Sequence, residues 1–223
     1  MDSWQIKGHT IEYLEDIHCY LCDGVILPGI TSILKDKFGA KYDGIPPEIL
    51  KRAAEKGTYM HSAIQNYEEL GLEIDLLELE NYIKLKQEYK WKCIENEKPL
   101  ILFIDNKPVA CGRLDMVYKI GHNLGIMDFK RTYKLDIEYL TYQLNLYRIA
   151  YEQCYDKKIK ELKGCHLRDK IHKVYEIPIK EEPFNYVKVV KIQRYNIVQE
   201  RKECYVCGSC QNIHIHEVFF RQE

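Results

Sequence analysis

The chain has 223 residues, with 33 Lys and Arg against 34 Asp and Glu, for a formal net charge of −1. So even a balance excludes a nucleic-acid binder that works through a global positive field, and leaves any phosphate contact to local basic patches. Hydrophobic residues at 46% and charged residues at 30% fit one soluble domain with a substantial core, and no apolar run approaches the length of a membrane span.

In chain order, the N-terminus (Met1-Asp2-Ser3-Trp4-Gln5) lacks the basic and apolar regions of a signal peptide, which points to a cytoplasmic protein. The nine cysteines are then expected as thiols or metal ligands rather than a disulfide framework. Residues 9–27 alternate weakly and break at Asp23-Gly24, predicting a small N-terminal hairpin. Ile30 begins a short helix. Pro46-Pro47-Glu48 opens a longer one, carrying Ile49, Leu50, Ala53, Ala54, Met60, Ala63 and Ile64. Leu76 to Glu95 reads as a third helix, and Pro99 to Ile104 as a strand. Ile137 to Tyr155 has a clear helical stripe (Leu140, Leu144, Tyr147, Tyr151, Cys154). Leu162 to Leu167 and Val174 to Ile179 are expected strands, and Pro183 starts a last helix reaching about Glu203. That order predicts an α/β sandwich with a central mixed sheet flanked by helices.

The chemistry concentrates between Gly112 and Lys130. Two apolar runs, Arg113 to Tyr118 and Leu124 to Phe129, flank Ile120-Gly121-His122-Asn123, the pattern of a β-hairpin. A turn centred on Gly121-His122 sets Asp115 opposite Asp128, with Cβ atoms about 5 Å apart. Lys130 lies two residues beyond Asp128 and shares its face. Two carboxylates and an ammonium thus converge on an otherwise apolar sheet, which is costly unless something pairs with them. A divalent cation held by both carboxylates satisfies that requirement. The plainer alternative is a cross-strand salt bridge between Asp115 and Lys130, with Asp128 solvated.

Three more patterns accompany the hairpin: Gly57-Thr58-Tyr59-Met60-His61 on the second helix, Glu97-Lys98-Pro99-Leu100 before the first strand of the meander, and Gln143 with Tyr147 one turn apart on the long helix. In this order, GxxD, DxK and QxxxY resemble the PD-(D/E)xK nuclease superfamily, in particular its RecB-type branch of phage and recombination exonucleases. The likeness spans roughly residues 50–150, and Leu114 stands where many members carry proline.

The resemblance implies a restriction-endonuclease-like fold and a Mg²⁺- or Mn²⁺-dependent deoxyribonuclease, exonuclease in character, acting in DNA recombination, repair or processing in a bacterial or phage-infected cell. DNA is the implied partner. Asp115, Asp128, the Phe129 carbonyl and His61 are the implied metal ligands, and Lys130 would orient the attacking water. Glu97 would serve a second metal or steady the first, while Gln143 and Tyr147 would hold the backbone phosphates or brace the lysine. A catalytically silent DNA-binding scaffold and an RNA-directed nuclease are the alternatives. Arg131 and Lys134 are candidates for gripping phosphates, or else belong to a solvated loop.

The domain is expected over residues 1–203, with an N-terminal hairpin at 9–27, a core at about 46–180 and a C-terminal helix at 183–203. A Cys/His-rich tail follows at 204–223. Its Cys204-x2-Cys207-x2-Cys210 run, followed by His214 and His216, has metal-ligand spacing. Three readings stay open there: an iron–sulfur cluster completed by Cys19 or Cys22, which the resemblance implies because some relatives carry one, a zinc ion completed by a histidine or Cys22, or free thiols.

Overall fold

The computed structural model describes residues 2–14, 19–39 and 44–190 of the chain. The N-terminal part is a four-stranded antiparallel meander: β1 (Asp2–Ile6), β2 (His9–Leu14), β3 (Cys19–Cys22) and β4 (Val25–Leu27), and its last two strands are the hairpin expected at His18 to Cys22 and Val25 to Leu27 around Asp23-Gly24. Two-residue turns close both outer pairs. Lys7-Gly8 (φ 52° and 82°) and Asp23-Gly24 (φ 51° and 77°) place both central residues in the left-handed region, which matches the twist of the flanking strands.

Helix α1 (Ile30–Phe38) follows. Helix α2 (Pro47–Leu70) starts with proline in its first turn and stops at Gly71, whose φ of 69° supplies the left-handed cap. Helix α3 spans Leu77–Tyr89, shorter than the expected Leu76 to Glu95. Lys90 turns left-handed there (φ 58°), and the chain enters β5 (Lys92–Ile104) seven residues before the expected strand start at Pro99. Strands β6 (Lys107–Ile120) and β7 (Asn123–Lys130) complete the meander around the Gly121-His122 turn.

Helix α4 (Ile137–Tyr155) has the predicted bounds; the Asp136 side chain caps it by accepting from the Tyr139 N–H at 2.8 Å. Strands β8 (Glu161–Arg168) and β9 (Ile171–Glu176) follow, the latter three residues earlier than expected. Residues 182–190 are helical; the rest of the expected helix to Glu203 lies outside the described residues.

The large sheet runs β5-β6-β7-β8-β9. All neighbours are antiparallel except β7 and β8, which are parallel and joined by α4 as a crossover. Helices cover both faces, so the predicted α/β architecture with a central mixed sheet is the one observed. Val117 and Ile126 face α1 and α4 together with Leu140, Leu144 and Tyr151. Met116, Met127 and Phe129 face α2 and α3 with Met60, Ile64 and Tyr82. The small sheet packs through Ile6, Ile11, Cys22 and Leu27 onto Ile101, Cys111 and Cys154. Among the described residues no helix is long and apolar enough to cross a membrane.

Candidate metal centre

The hairpin register fixes the site. Pairing of Met116 with Met127 and of Ile120 with Asn123, continued one residue past the ladder, brings Asp115 beside Asp128, and Asp128 meets Gln143 of α4. On the other flank, Asn96 pairs with Met116 and Lys98 with Leu114, so Glu97 is level with Asp115. Three carboxylates therefore stand in one row across β5, β6 and β7. Glu97 was expected ahead of the first strand; it lies inside β5, with a left-handed φ of 44° at a non-glycine residue. A side chain bent out of the regular pleat is a feature that clusters at functional sites.

The β6–β7 ladder ends at Met116, and Phe129 is left with no backbone partner on that side. Side chains take over. The Asp115 carboxylate accepts the Phe129 N–H at 2.7 Å, and His61 Nε2 lies 3.1 Å from the Phe129 carbonyl. In the neutral tautomer that donates Nε2–H to this carbonyl, Nδ1 turns its lone pair toward Asp115 Oδ2, 3.6 Å away. Two electron-rich atoms then face each other, an arrangement completed by a proton or a cation.

One ligand atom each from His61, Glu97 and Asp115 lie within 4.8 Å of one another. An imidazole nitrogen and two carboxylate oxygens form a donor set suited to Mn²⁺ and, with more water in the shell, to Mg²⁺. The electrostatics agree with a missing positive charge. Burial, reinforced by the Asp115 charge, pushes the Glu97 carboxyl up to about 7 although Arg113 and His61 act against it. The residues fit a divalent cation.

Asp128 stands beside this group rather than within it. Its Oδ2 lies 2.5 Å from the Lys130 ammonium, and its Oδ1 accepts from Gln143 Nε2 at 2.8 Å. Burial pushes the Asp128 carboxyl up to about 6, with Lys130 opposing and Asp115 adding to the rise. Burial disfavours the Lys130 ammonium, but Asp128 and Asp115 outweigh it and hold the lysine above its ordinary value. The alternative pairing of Lys130 with Asp115 is not the one observed.

Gln143 and Tyr147 were expected to hold phosphates or brace the lysine. Gln143 donates to the Asp128 carboxylate that pairs with Lys130, and it also reaches the Tyr147 hydroxyl at 3.4 Å. Tyr147 is buried, and burial raises its hydroxyl well above the ordinary tyrosine value. A Cβ at Gly112 would stand 3.3 Å from the Tyr147 ring, so the glycine lets helix and strand approach.

Arg131 is no free phosphate grip. Its guanidinium is engaged by Glu78 at 2.6 Å and Asp169 at 3.3 Å, whereas Lys134 is exposed. Cys22 is buried in the cluster that also holds Cys111. Cys204, Cys207, Cys210, His214 and His216 lie outside the described residues, so the expected tail site does too. Arg113 escaped the sequence reading. Its Nε meets Glu97 Oε2 at 2.7 Å, and its place two residues before Asp115 on a strand was the available signal.

No protein-family model matches the chain, and none of the curated proteins compared with it matches either. Among solved structures it is similar to "Crystal structure of SSO0001", with 17% sequence identity and a TM-score of 0.35, covering 79% of this chain and 76% of that one. A likeness of that degree carries no argument.

Proposed function

We propose that the protein is a divalent-metal-dependent nuclease of the PD-(D/E)xK superfamily, close to the RecB-type phage exonucleases. On this reading it hydrolyses DNA phosphodiester bonds in recombination, repair or processing. The observation that carries it is the row Glu97, Asp115, Asp128 across three strands, with His61 closing on the first two and Lys130 paired to the third.

His61, Glu97 and Asp115 would hold Mg²⁺ or Mn²⁺. The resemblance adds the Phe129 carbonyl, 3.1 Å from His61 Nε2, and Asp128 on the adjoining strand. Held by these residues, such an ion would supply Lewis-acid chemistry to the phosphate and the attacking water. Lys130 is 23% exposed along its side chain, enough to meet a substrate while Asp128 keeps it charged. Its ammonium would orient the attacking water and offset charge gathering on the phosphate oxygens. Gln143, by fixing Asp128, fixes the direction of Lys130. Arg113 offsets part of the Glu97 charge and holds that carboxylate beside His61 and Asp115.

Purified protein incubated with linear, closed circular and single-stranded DNA, and with RNA, tests the reading. Linear DNA should be degraded with Mg²⁺ or Mn²⁺, spared with EDTA, and spared by Asp115→Ala; intact circles mark an exonuclease. RNA cleaved in preference to DNA would move the substrate to the other backbone. Absence of cleavage of every substrate with either metal would end the assignment.

A further inference from the structure

A second cluster of ligand-type side chains lies where the small sheet meets β6. His9 opens β2, Cys22 closes β3, and Asp23 is the first residue of the turn into β4. One ring nitrogen of His9, the Cys22 sulfur and one Asp23 oxygen lie within 4.8 Å of one another. We propose that His9, Cys22 and Asp23 form a binding site for a borderline-soft transition-metal ion, best matched by Zn²⁺, separate from the His61–Glu97–Asp115 centre and independent of the cysteine tail.

The donor set decides the class of ion. A nitrogen, a sulfur and a carboxylate oxygen suit tetrahedral Zn²⁺, with water in the fourth position, and a thiolate disfavours the hard cation Mg²⁺. Backbone geometry aims the donors. The left-handed Asp23-Gly24 turn brings the Asp23 carboxylate back over β2, where the Thr10 N–H donates to Oδ1 at 2.8 Å. That bond fixes one oxygen and leaves Oδ2 against His9 Nδ1 at 2.6 Å. An ion bound between them would replace the proton that the pair now shares.

The sulfur is also prepared. Cys22 is 4% exposed and lies in the same buried cluster as the Cys111 thiol on β6. A thiol there stands behind the Cys22 sulfur, as residues that support metal ligands commonly do. The imidazole and the carboxylate are 29% and 50% exposed along their side chains, so an ion reaches the sulfur from the solvent side between them. Bound there, it would tie β2 to the β3–β4 turn and, through Cys111, stiffen the start of the strand that carries Asp115.

Co²⁺ titration of the full chain tests this, because sulfur bound to Co²⁺ gives a charge-transfer absorption that the all-N,O centre at His61 does not produce. Cys204→Ser/Cys207→Ser/Cys210→Ser serves as background, removing the tail thiols. In that background one Co²⁺ per chain should bind with sulfur charge transfer, and Zn²⁺ should displace it. Cys22→Ser should abolish the band, and His9→Ala and Asp23→Asn should each weaken binding about tenfold or more. His61→Ala should leave it unchanged. No sulfur band in the background, or a band that survives Cys22→Ser, overturns the proposal. Should Cys22→Ser misfold, the partly exposed His9 decides: unchanged Co²⁺ affinity in His9→Ala overturns it.

Discussion

At the residue scale, Lys130 and the three ligand residues do different work, and the distances separate them. The lysine contacts Asp128 at 2.5 Å, whereas the compact donor group is His61, Glu97 and Asp115. Lys130→Met should therefore lower cleavage about 10²- to 10³-fold or more, while calorimetry finds Mn²⁺ affinity within about threefold of wild type. Collapse of metal affinity in that variant would show the lysine acting by holding the ligands. His61→Ala should behave in the opposite way. Mn²⁺ binding should weaken, cleavage lost at low Mn²⁺ should return at high Mn²⁺, and stability should drop by about 1 kcal/mol as the Phe129 carbonyl loses its donor. A cleavage defect that no Mn²⁺ concentration repairs would make His61 structural. Asp115, Asp128 and Lys130 were legible in the sequence because a period of two and a two-residue turn fix faces without any knowledge of the fold. The Arg113–Glu97 pair was not, because it depends on the register between β5 and β6.

At the element scale, the main misreading was the border of α3 and β5. The run from Trp91 to Glu95 continues the composition of the helix before it, and only the left-handed cap at Lys90 separates them. Lysine does not advertise that conformation as glycine does. A charge-rich stretch also hid a strand whose other end is apolar. Helix α4, by contrast, kept its predicted bounds because it has a capping Asp136 and is buried on nearly every side from Leu140 to Tyr151. Gly125 on β7 gives a test of the hairpin itself. It pairs with Tyr118, and a Cβ there would stand 2.2 Å from the Tyr118 ring, which is fully buried beneath Trp91. The ring covers the glycine. Gly125→Ala should cost about 1–3 kcal/mol in urea unfolding. A cost under about 0.5 kcal/mol would mean that the two strands shift freely past each other.

At the scale of the whole molecule, the site opposes the fold that builds it. Glu97 and Asp128 have carboxyls pushed up to about 7 and about 6, from ordinary values of 4.5 and 3.8. In each case the folded protein favours the protonated form. The stability contributed is therefore fully present below about pH 4 and is lost as pH rises toward 7. A bound cation replaces the proton, so Mn²⁺ should raise the melting temperature strongly at pH 7.5 and little at pH 4.5. Other carboxylates titrate in the opposite sense, among them Asp23, whose hydrogen bond from His9 holds it below the usual carboxylate range. The informative quantity is thus the difference between wild type and Glu97→Gln, melted without metal across that pH range. The two should melt together at pH 4.5, where Glu97 is neutral, and the variant should melt higher at pH 7.5, where wild type carries the buried charge. Adding Mn²⁺ at pH 7.5 should reverse that order, because glutamine cannot replace the carboxylate as a ligand. Parallel curves throughout, with no reversal on adding Mn²⁺, would show that the Glu97 charge is neutralised within the chain and that the row across the sheet needs no cation.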